Sequence, residues 1–230
     1  RIMERWVVGM RDAFSEALYE LAKKDPQVVL VTSDTGAICH DKIRYELSNQ
    51  YINVGIAEQN MIGISAGLAM AGKKPFVYAI ASFASGRCYE QTRVDLCCIG
   101  LPVTVVGVGA GFDYNTLGPT HHASEDIAIM RALPGMTVLS PSDSLMARGM
   151  VRYCIDRPGP KYIRLDRTGI PLVYEEGRLL DLDQGFTLLE EGRELCIVAT
   201  GRMVPRARFS PTLARSVTTS TIASSTFSTR

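Results

Sequence analysis

An acidic residue, Glu58, stands where a strand-like segment beginning at Tyr51 passes into a glycine-spaced helix. The helix dipole stabilises a carboxylate in a first turn by about 0.3–1 kcal/mol, which is one explanation for this position. The other is a partly buried carboxylic acid that protonates a ring nitrogen, for which apolar walls must favour the protonated form. The neighbours that could supply such walls are Ile56, Ala57, Met61 and Ile62. Glu58 is therefore a candidate for acid–base chemistry.

A second candidate group is the pair His121 and His122, which follows a Gly-Pro-Thr turn. Adjacent histidines point in different directions, so a shared metal ion is not expected, and the sequence contains no H-E-x-x-H motif. The histidines either lie solvated in a loop or hydrogen-bond a substrate hydroxyl group. Ser124 is the predicted cap of the helix that follows. Phe83, between small residues at a strand end, is either a core residue or a platform for a flat heterocycle.

Two arginines, Arg164 and Arg167, flank the end of a predicted strand. They either pair with surface acids, at little gain in stability, or bind an anionic phosphate. The glycine-rich run 107–112 has the spacing of a dinucleotide-binding loop, but Phe112 takes its last glycine position and no helical pattern follows directly. A dinucleotide site is therefore not predicted.

Alternating strands and helices must position these residues. Strands that are apolar on both faces are predicted at 28–31, 75–80, 102–108, 136–139 and 162–165, and helices at 10–24, 86–98, 124–133 and 142–156. This alternation indicates an α/β fold, a parallel β-sheet with helices on both faces. In such sheets the site lies at the loops after the strands' carboxyl ends. Those loops are 33–36, 81–86, 109–122 and 166–169.

The amino-acid composition changes after this α/β domain, which we assign to residues 1–175. Residues 176–194 are polar and turn-rich, as in a linker, and 195–201 resemble the first strand and turn of a second α/β domain. We expect that domain to be truncated, because 206–230 is rich in Ser, Thr and Arg without a sustained apolar period. The tail is expected to be disordered, since it cannot bury enough apolar surface to offset the entropy of ordering.

Composition excludes several classes of function. With 46% hydrophobic and 21% charged residues, the 230-residue chain is globular, and its formal net charge of +1 gives no large positive field for nucleic acid or an anionic membrane. The longest apolar run, 61–72, is too short to cross a bilayer. Six cysteines without a C-x-x-C pair favour a reduced, cytoplasmic compartment.

Taken together, several stretches resemble the pyrimidine-binding half of the transketolase family of thiamine-diphosphate enzymes. They are residues 54–67, 86–93, 118–138 and 140–143. The resemblance covers about residues 10–171, and 195–205 resembles the opening of the family's third domain. It implies that Glu58 hydrogen-bonds the cofactor's aminopyrimidine ring and promotes the imino form that activates the thiazolium carbon. It also implies that Phe83 packs on that ring, with Ile80 and Arg87 completing the cofactor-binding set.

For the substrate, the resemblance implies that His121 contacts the donor sugar near its reacting carbons. It further implies that Arg167 binds the substrate phosphate, with Arg164 close by. The chain departs from the family where an acidic pair precedes the G-P-T-H run, since Thr116 and Leu117 stand there. A leucine cannot accept the hydrogen bond of a substrate hydroxyl, so the donor sugar is open. Ile80 likewise replaces a common aromatic residue.

The diphosphate site of the family is built on a G-D-G run, which this sequence lacks. The resemblance therefore implies a carboxyl-terminal subunit that forms a homodimer and requires a separate amino-terminal subunit. That partner would hold the diphosphate through Mg²⁺ or Ca²⁺, with no metal ligand on this chain. The expected activity is transfer of a two-carbon ketol group between sugar phosphates. Alternatives are a deoxyxylulose-phosphate-synthase type enzyme, a 2-oxo-acid dehydrogenase β subunit, or a non-catalytic assembly subunit.

Overall fold

The computed structural model of the chain describes residues 8–175, 177, 181–208, 219–224 and 226–228, the last two ranges by their backbone. Six parallel strands form the centre of the molecule. They are β1 (Val28–Thr32), β2 (Tyr51–Asn53), β3 (Lys74–Ile80), β4 (Thr104–Val108), β5 (Thr137–Leu139) and β6 (Lys161–Leu165). Their spatial order is β5-β6-β4-β3-β1-β2. The predicted parallel sheet is therefore confirmed.

Helices cover both faces of this sheet, as predicted. The α-helices among described residues 8–175 are α1 (Met10–Ala22), α2 (Asp41–Glu46), α3 (Glu58–Met70), α4 (Tyr89–Gln91), α5 (Asp126–Arg131) and α6 (Ser144–Asp156). Successive residues of β1 point to opposite faces, so Val28 and Leu30 pack with α1 and α6 while Val29 and Val31 pack with α3. Both faces of the strands are thus core, which explains their continuous apolar runs.

One helical segment, residues 83–98, is irregular. Wide π-helical turns at Phe83–Arg87 and Thr92–Cys98 flank α4. Such turns are rare and concentrate at functional sites. The start of α5 also differs from the prediction, because Glu125 is the residue before its first turn and no side chain caps it; Ser124 Oγ instead donates to Glu125 Oε2 at 2.8 Å.

The chain after residue 175 contains more regular structure than predicted. The segment assigned as a linker holds β7 (Phe186–Glu190), and the second α/β unit is present as β8 (Leu195–Thr200) and α7 (Met203–Arg208). Within the tail, β9 (Thr219–Ser224) lies between β7 and β8, and β10 (Thr226–Ser228) adds an antiparallel edge strand to β5.

The prediction of a disordered tail is therefore wrong for 206–208, 219–224 and 226–228, whereas 209–218, 225, 229 and 230 lie outside the described residues. The physical reason is non-local: strands β5, β7 and β8 offer backbone donors and acceptors that a threonine-rich segment can pair with. The domain boundaries themselves stay a prediction. Across the described ranges, no helix has the length and apolar character needed to span a membrane.

Candidate active site

Glu58 is buried at the first position of α3, with 2% of its surface exposed. The loop before it is fixed by Asn53, at the end of β2, whose Oδ1 accepts from the backbone N–H of both Asp34 and Gly55 at 3.0 Å. This ties the loops after β1 and β2 together and sets where α3 begins. Of the predicted apolar walls, Met61 is fully buried but Ile56 is 77% exposed and cannot serve as one.

Two side chains from the carboxyl ends of other strands hold the Glu58 carboxylate. Arg87 Nη1 donates to Oε2 at 2.7 Å, and Ser33 Oγ donates to Oε1 at 3.3 Å. Ser33 follows β1, and Arg87 lies on the 83–98 helical segment that follows β3. Because Arg87 carries a positive charge, its contact with Glu58 is a charge-assisted hydrogen bond within an ion pair.

Phe83 lies against the same arginine. The guanidinium carbon of Arg87 is 4.1 Å from the centroid of the Phe83 ring, within the range of a cation–π contact. The π-helical turn brings these residues, four apart in sequence, into contact. Bonds from Ser85 Oγ to Ala81 O and from Cys88 Sγ to Ala84 O anchor the segment, so the Phe83 ring is held at the strand's carboxyl end.

His121 packs edge-on against Phe83, with ring centroids 5.1 Å apart, and against Tyr114 at 5.9 Å. Its Nδ1 shares a 2.9 Å hydrogen bond with Thr120 Oγ1, and Ser82 Oγ, on the loop after β3, donates to Thr120 O. His122 instead packs against Phe112. The two histidines therefore point in different directions, as predicted.

Tyr114 connects His121 to Arg167. The guanidinium carbon of Arg167 lies 4.9 Å from the Tyr114 ring centroid, and the Arg167 backbone N–H donates to Asp113 Oδ2 at 2.7 Å. Tyr114 rests directly on Gly109, where a β carbon would come within 2.1 Å of the ring and φ is +86°. The glycine-rich run after β4 thus seats an aromatic ring rather than a dinucleotide.

A continuous row of side chains therefore crosses the carboxyl edge of the sheet, which we call the site row. Its members are Glu58, Arg87, Phe83, His121, Tyr114 and Arg167. Five of these six residues were predicted from the sequence to bind cofactor or substrate. The sequence did not single out Tyr114.

Beside the end of the site row lies a cavity of about 250 Å³. Arg167, Tyr114 and Ile80 line it, and so does Arg11, which the sequence reasoning missed. A possible signal existed, because Arg11 is a cation in the first turn of α1, where the helix dipole disfavours positive charge. Arg11 Nε donates to Asp12 Oδ1 at 2.8 Å, which holds the guanidinium at the cavity wall.

Arg164 does not lie in the site row or at the cavity beside it. It lines a separate cavity of about 430 Å³, and its Nε donates at 2.9 Å to the buried Asp126, which also accepts from Tyr162 OH. Asp166 lines the same cavity, and burial raises the pKa of Asp166 to about 6, with Arg202 close by at 3.2 Å. The described part of the chain contains no group of three or more His, Cys, Asp or Glu side chains arranged to hold a metal ion.

The sequence matches the family described as transketolase, pyrimidine binding domain, over residues 7–171. It is 40% identical over 203 residues to one of the subunits of the apulose-4-phosphate transketolase of Phocaeicola vulgatus, covering 87% of this chain and 65% of that protein. It is 38% identical over 208 residues to the 6-deoxy-6-sulfo-D-fructose transketolase subunit SqwH of Clostridium sp., covering 90% and 63%. The chain thus spans slightly less than two thirds of these curated relatives.

A solved structure described as a split gene transketolase, inactive beta4 tetramer, superposes with a TM-score of 0.84 at 33% identity, covering 95% of this chain and 72% of that one. Sequence and fold agree over the region that holds the site row. The chain therefore belongs to the transketolase family and contains that family's pyrimidine-binding domain.

Proposed function

We propose that this chain is the carboxyl-terminal subunit of a two-chain, cytoplasmic, transketolase-like enzyme that transfers a two-carbon ketol group between anionic sugars, sugar phosphates above all. The observation that carries the proposal is the site row, which joins the buried Glu58 to Arg167, at the wall of a cavity, along one edge of the sheet. Two of the relatives are named as transketolase subunits, which supports the same reaction class.

Thiamine diphosphate is the cofactor that the site row would accommodate, through its aminopyrimidine ring. The fit has a structural basis, because a planar group with N–H donors, the Arg87 guanidinium, already lies between the Glu58 carboxylate and the Phe83 ring. When bound, the cofactor supplies the nucleophilic carbon for ketol transfer. The task of Glu58 is to exchange a proton with a ring nitrogen, and its burial keeps water from competing.

The substrate would lie along the remainder of the row. His121, held edge-on between Phe83 and Tyr114, would hydrogen-bond the hydroxyl or carbonyl oxygen of the donor. Arg11 and Arg167, which line one cavity, would bind the substrate's anionic end. Two relatives are named for a phosphorylated and a sulfonated sugar, and both anions suit a pair of guanidinium groups. Arg164, held by Asp126, is not included.

A second subunit is proposed to complete the cofactor site and to hold the diphosphate through Mg²⁺ or Ca²⁺, because the sequence has no G-D-G run. Large apolar side chains are exposed on the loops at the carboxyl edge of the sheet, and we assign them to the contact with that subunit. They are Ile38, Ile56, Phe112 and Leu117. On α3, Gly63 and Gly67 are exposed with open space around them, which would allow a second copy of this chain to approach closely.

The test is reconstitution of the chain with a diphosphate-binding subunit, thiamine diphosphate, Mg²⁺, a ketose phosphate donor and an aldose phosphate acceptor. We expect ketol transfer, and we expect Glu58→Gln to lower kcat by about 100-fold or more, as loss of a general acid–base group does. Glu90→Gln is the matched control, since Glu90 is exposed and pairs only with Arg93 among the described contacts. Equal turnover by Glu58→Gln, or turnover of pyruvate in place of the ketose donor, would contradict the proposal.

A further inference from the structure

The guanidinium of Arg87 makes both contacts that the proposed pyrimidine ring needs. It donates to Glu58 Oε2 at 2.7 Å and lies 4.1 Å from the centroid of the Phe83 ring. A planar ring cannot stack on this face of Phe83 while the guanidinium covers it, with its carbon 4.1 Å from the ring centroid. Arg87 and the ring are therefore mutually exclusive at this position.

The two partners of the ion pair differ sharply in exposure. The side chain of Glu58 is 3% exposed, whereas that of Arg87 is 42% exposed. Arg87 can therefore swing into solvent, where its charge is hydrated, but Glu58 cannot follow. A buried carboxylate without a partner is strongly unfavourable, and Ser33 Oγ, at 3.3 Å, is the one other donor that contacts it among the described residues. The departure of Arg87 is thus favourable only when another donor replaces it.

The backbone around Arg87 is suited to such a movement. Phe83–Arg87 is a π-helical turn, and Cys88, the residue after it, has φ −112° and ψ 26°, outside helical geometry. The helical hydrogen-bond ladder is irregular here, so a change at Arg87 need not disturb α4. Phe83 itself stays anchored by its packing against His121.

We infer that Arg87 is a positioning residue that occupies the place of the aminopyrimidine ring in the free subunit, pairs with the buried Glu58 side chain, and is displaced when the ring binds. This inference rests on the proposed function. It replaces the expectation that Arg87 contacts the bound cofactor directly. Arg87 acts through Glu58, and cofactor affinity includes the cost of breaking the ion pair.

The test compares wild type with Arg87→Met, which keeps the aliphatic length and removes the donors. In the complex reconstituted with a diphosphate-binding subunit, calorimetric titration should show thiamine diphosphate binding tightened by about fivefold or more, because no competing group has to leave. In the subunit alone, Tm should fall, because Glu58 loses its partner. In a Glu58→Gln background, Arg87→Met should change Tm much less. Arg93→Met, which removes an exposed ion pair with Glu90, is the control and should change neither quantity.

Weaker binding of thiamine diphosphate by Arg87→Met would show a direct contact with the bound cofactor and overturn the inference. Unchanged affinity would also overturn it, because the departure of Arg87 would then cost nothing. An unchanged Tm of the free subunit would overturn the part played by the ion pair. Arg87→Lys provides a second measurement if the methionine variant does not fold, because it keeps the charge but cannot lie flat on Phe83; it should also bind more tightly than wild type. If the wild-type complex binds no thiamine diphosphate, the proposed function itself fails.

Discussion

Arg11 and Arg167 lie more than 150 residues apart in sequence and line the same cavity of about 250 Å³. Two guanidinium groups that converge on one cavity are suited to a phosphate or sulfonate group. We predict that Arg11→Gln raises KM for a ketose phosphate by about tenfold with little change in kcat, because it removes binding that is equal in ground and transition states.

Steady-state kinetics of the reconstituted enzyme with phosphorylated and unphosphorylated ketoses check this prediction. Only the phosphorylated donor should lose affinity. Arg152→Gln is the control, because Arg152 pairs with Asp156 on the exposed face of α6. An equal rise in KM for both donors would show that Arg11 supports the site by packing rather than by charge.

Site residues that stand in a recognisable sequence stretch could be predicted. Site residues whose position depends on the three-dimensional path of the chain could not. Glu58 and His121 stand in recognisable stretches, and both lie in the site row. Arg164 and Arg167 look equivalent in sequence, yet Arg164 lies inside β6 and contacts Asp126 while Arg167 follows the strand and faces Tyr114. Arg11 was missed because its one signal, a positive charge in the first turn of a helix, does not by itself indicate a ligand.

At the scale of elements, the loop after β4 positions the middle of the site row through Gly109. An alanine there would place its β carbon 2.1 Å from the Tyr114 ring and would keep an unfavourable positive φ. We predict that Gly109→Ala lowers the free energy of unfolding by about 2 kcal/mol or more and moves Tyr114 away from His121 and Arg167.

Chemical denaturation measures the stability change, and the KM for the ketose phosphate reports the displaced tyrosine. Gly149→Ala on α6 is the matched control, because a β carbon there meets no atom within 4 Å. In a helix interior this substitution should stabilise the chain by about 0.5–1 kcal/mol. If Gly109→Ala behaved like Gly149→Ala, the seating of Tyr114 by this glycine would be wrong.

Helices and strands could be predicted where burial produces a long apolar run or a regular apolar period in the sequence. The five-residue strands β1 and β4 are buried at every position, and α1 and α6 have regular apolar spacing. The helix α2 was missed because six residues give no sustained helical period, and the strand β7 because none of its residues is buried and it leaves no continuous apolar run. The tail strands were missed because their pairing depends on strands that are distant in sequence, and amino-acid composition gives no information about that pairing.

At the scale of the whole molecule, stability depends on two buried groups that respond to pH in opposite directions. One is His40, packed edge-on against Tyr78 beneath the first sheet. Ser15 Oγ donates to Arg11 O at 2.8 Å, so it accepts from His40 Nε2 at 3.2 Å, and the ring is neutral with its proton on Nε2. Burial lowers the pKa of His40 from 6.5 to about 4.

Because its pKa is lower in the folded chain, His40 binds a proton first in the unfolded chain. Its contribution to stability is complete above pH 6.5 and is lost as the pH falls to about 4. Asp166 is the reverse case, since burial raises its pKa from 3.8 to about 6. Its contribution is complete below pH 3.8 and is lost as the pH rises to about 6. Each of the two groups changes the free energy of unfolding by about 3 kcal/mol over its pH range.

The two effects oppose each other between about pH 4 and 6, so removing one should expose the other. We predict that Asp166→Asn loses stability more steeply than wild type as the pH falls from 7 to 4, whereas His40→Gln loses it less steeply. Urea denaturation across this range measures the slopes, and Asp156→Asn, on the exposed face of α6, should keep the wild-type slope. Parallel curves for Asp166→Asn and wild type would show that Asp166 is ionised in the folded chain throughout. The carboxylate would then be held by Arg202, at 3.2 Å, strongly enough to outweigh its burial.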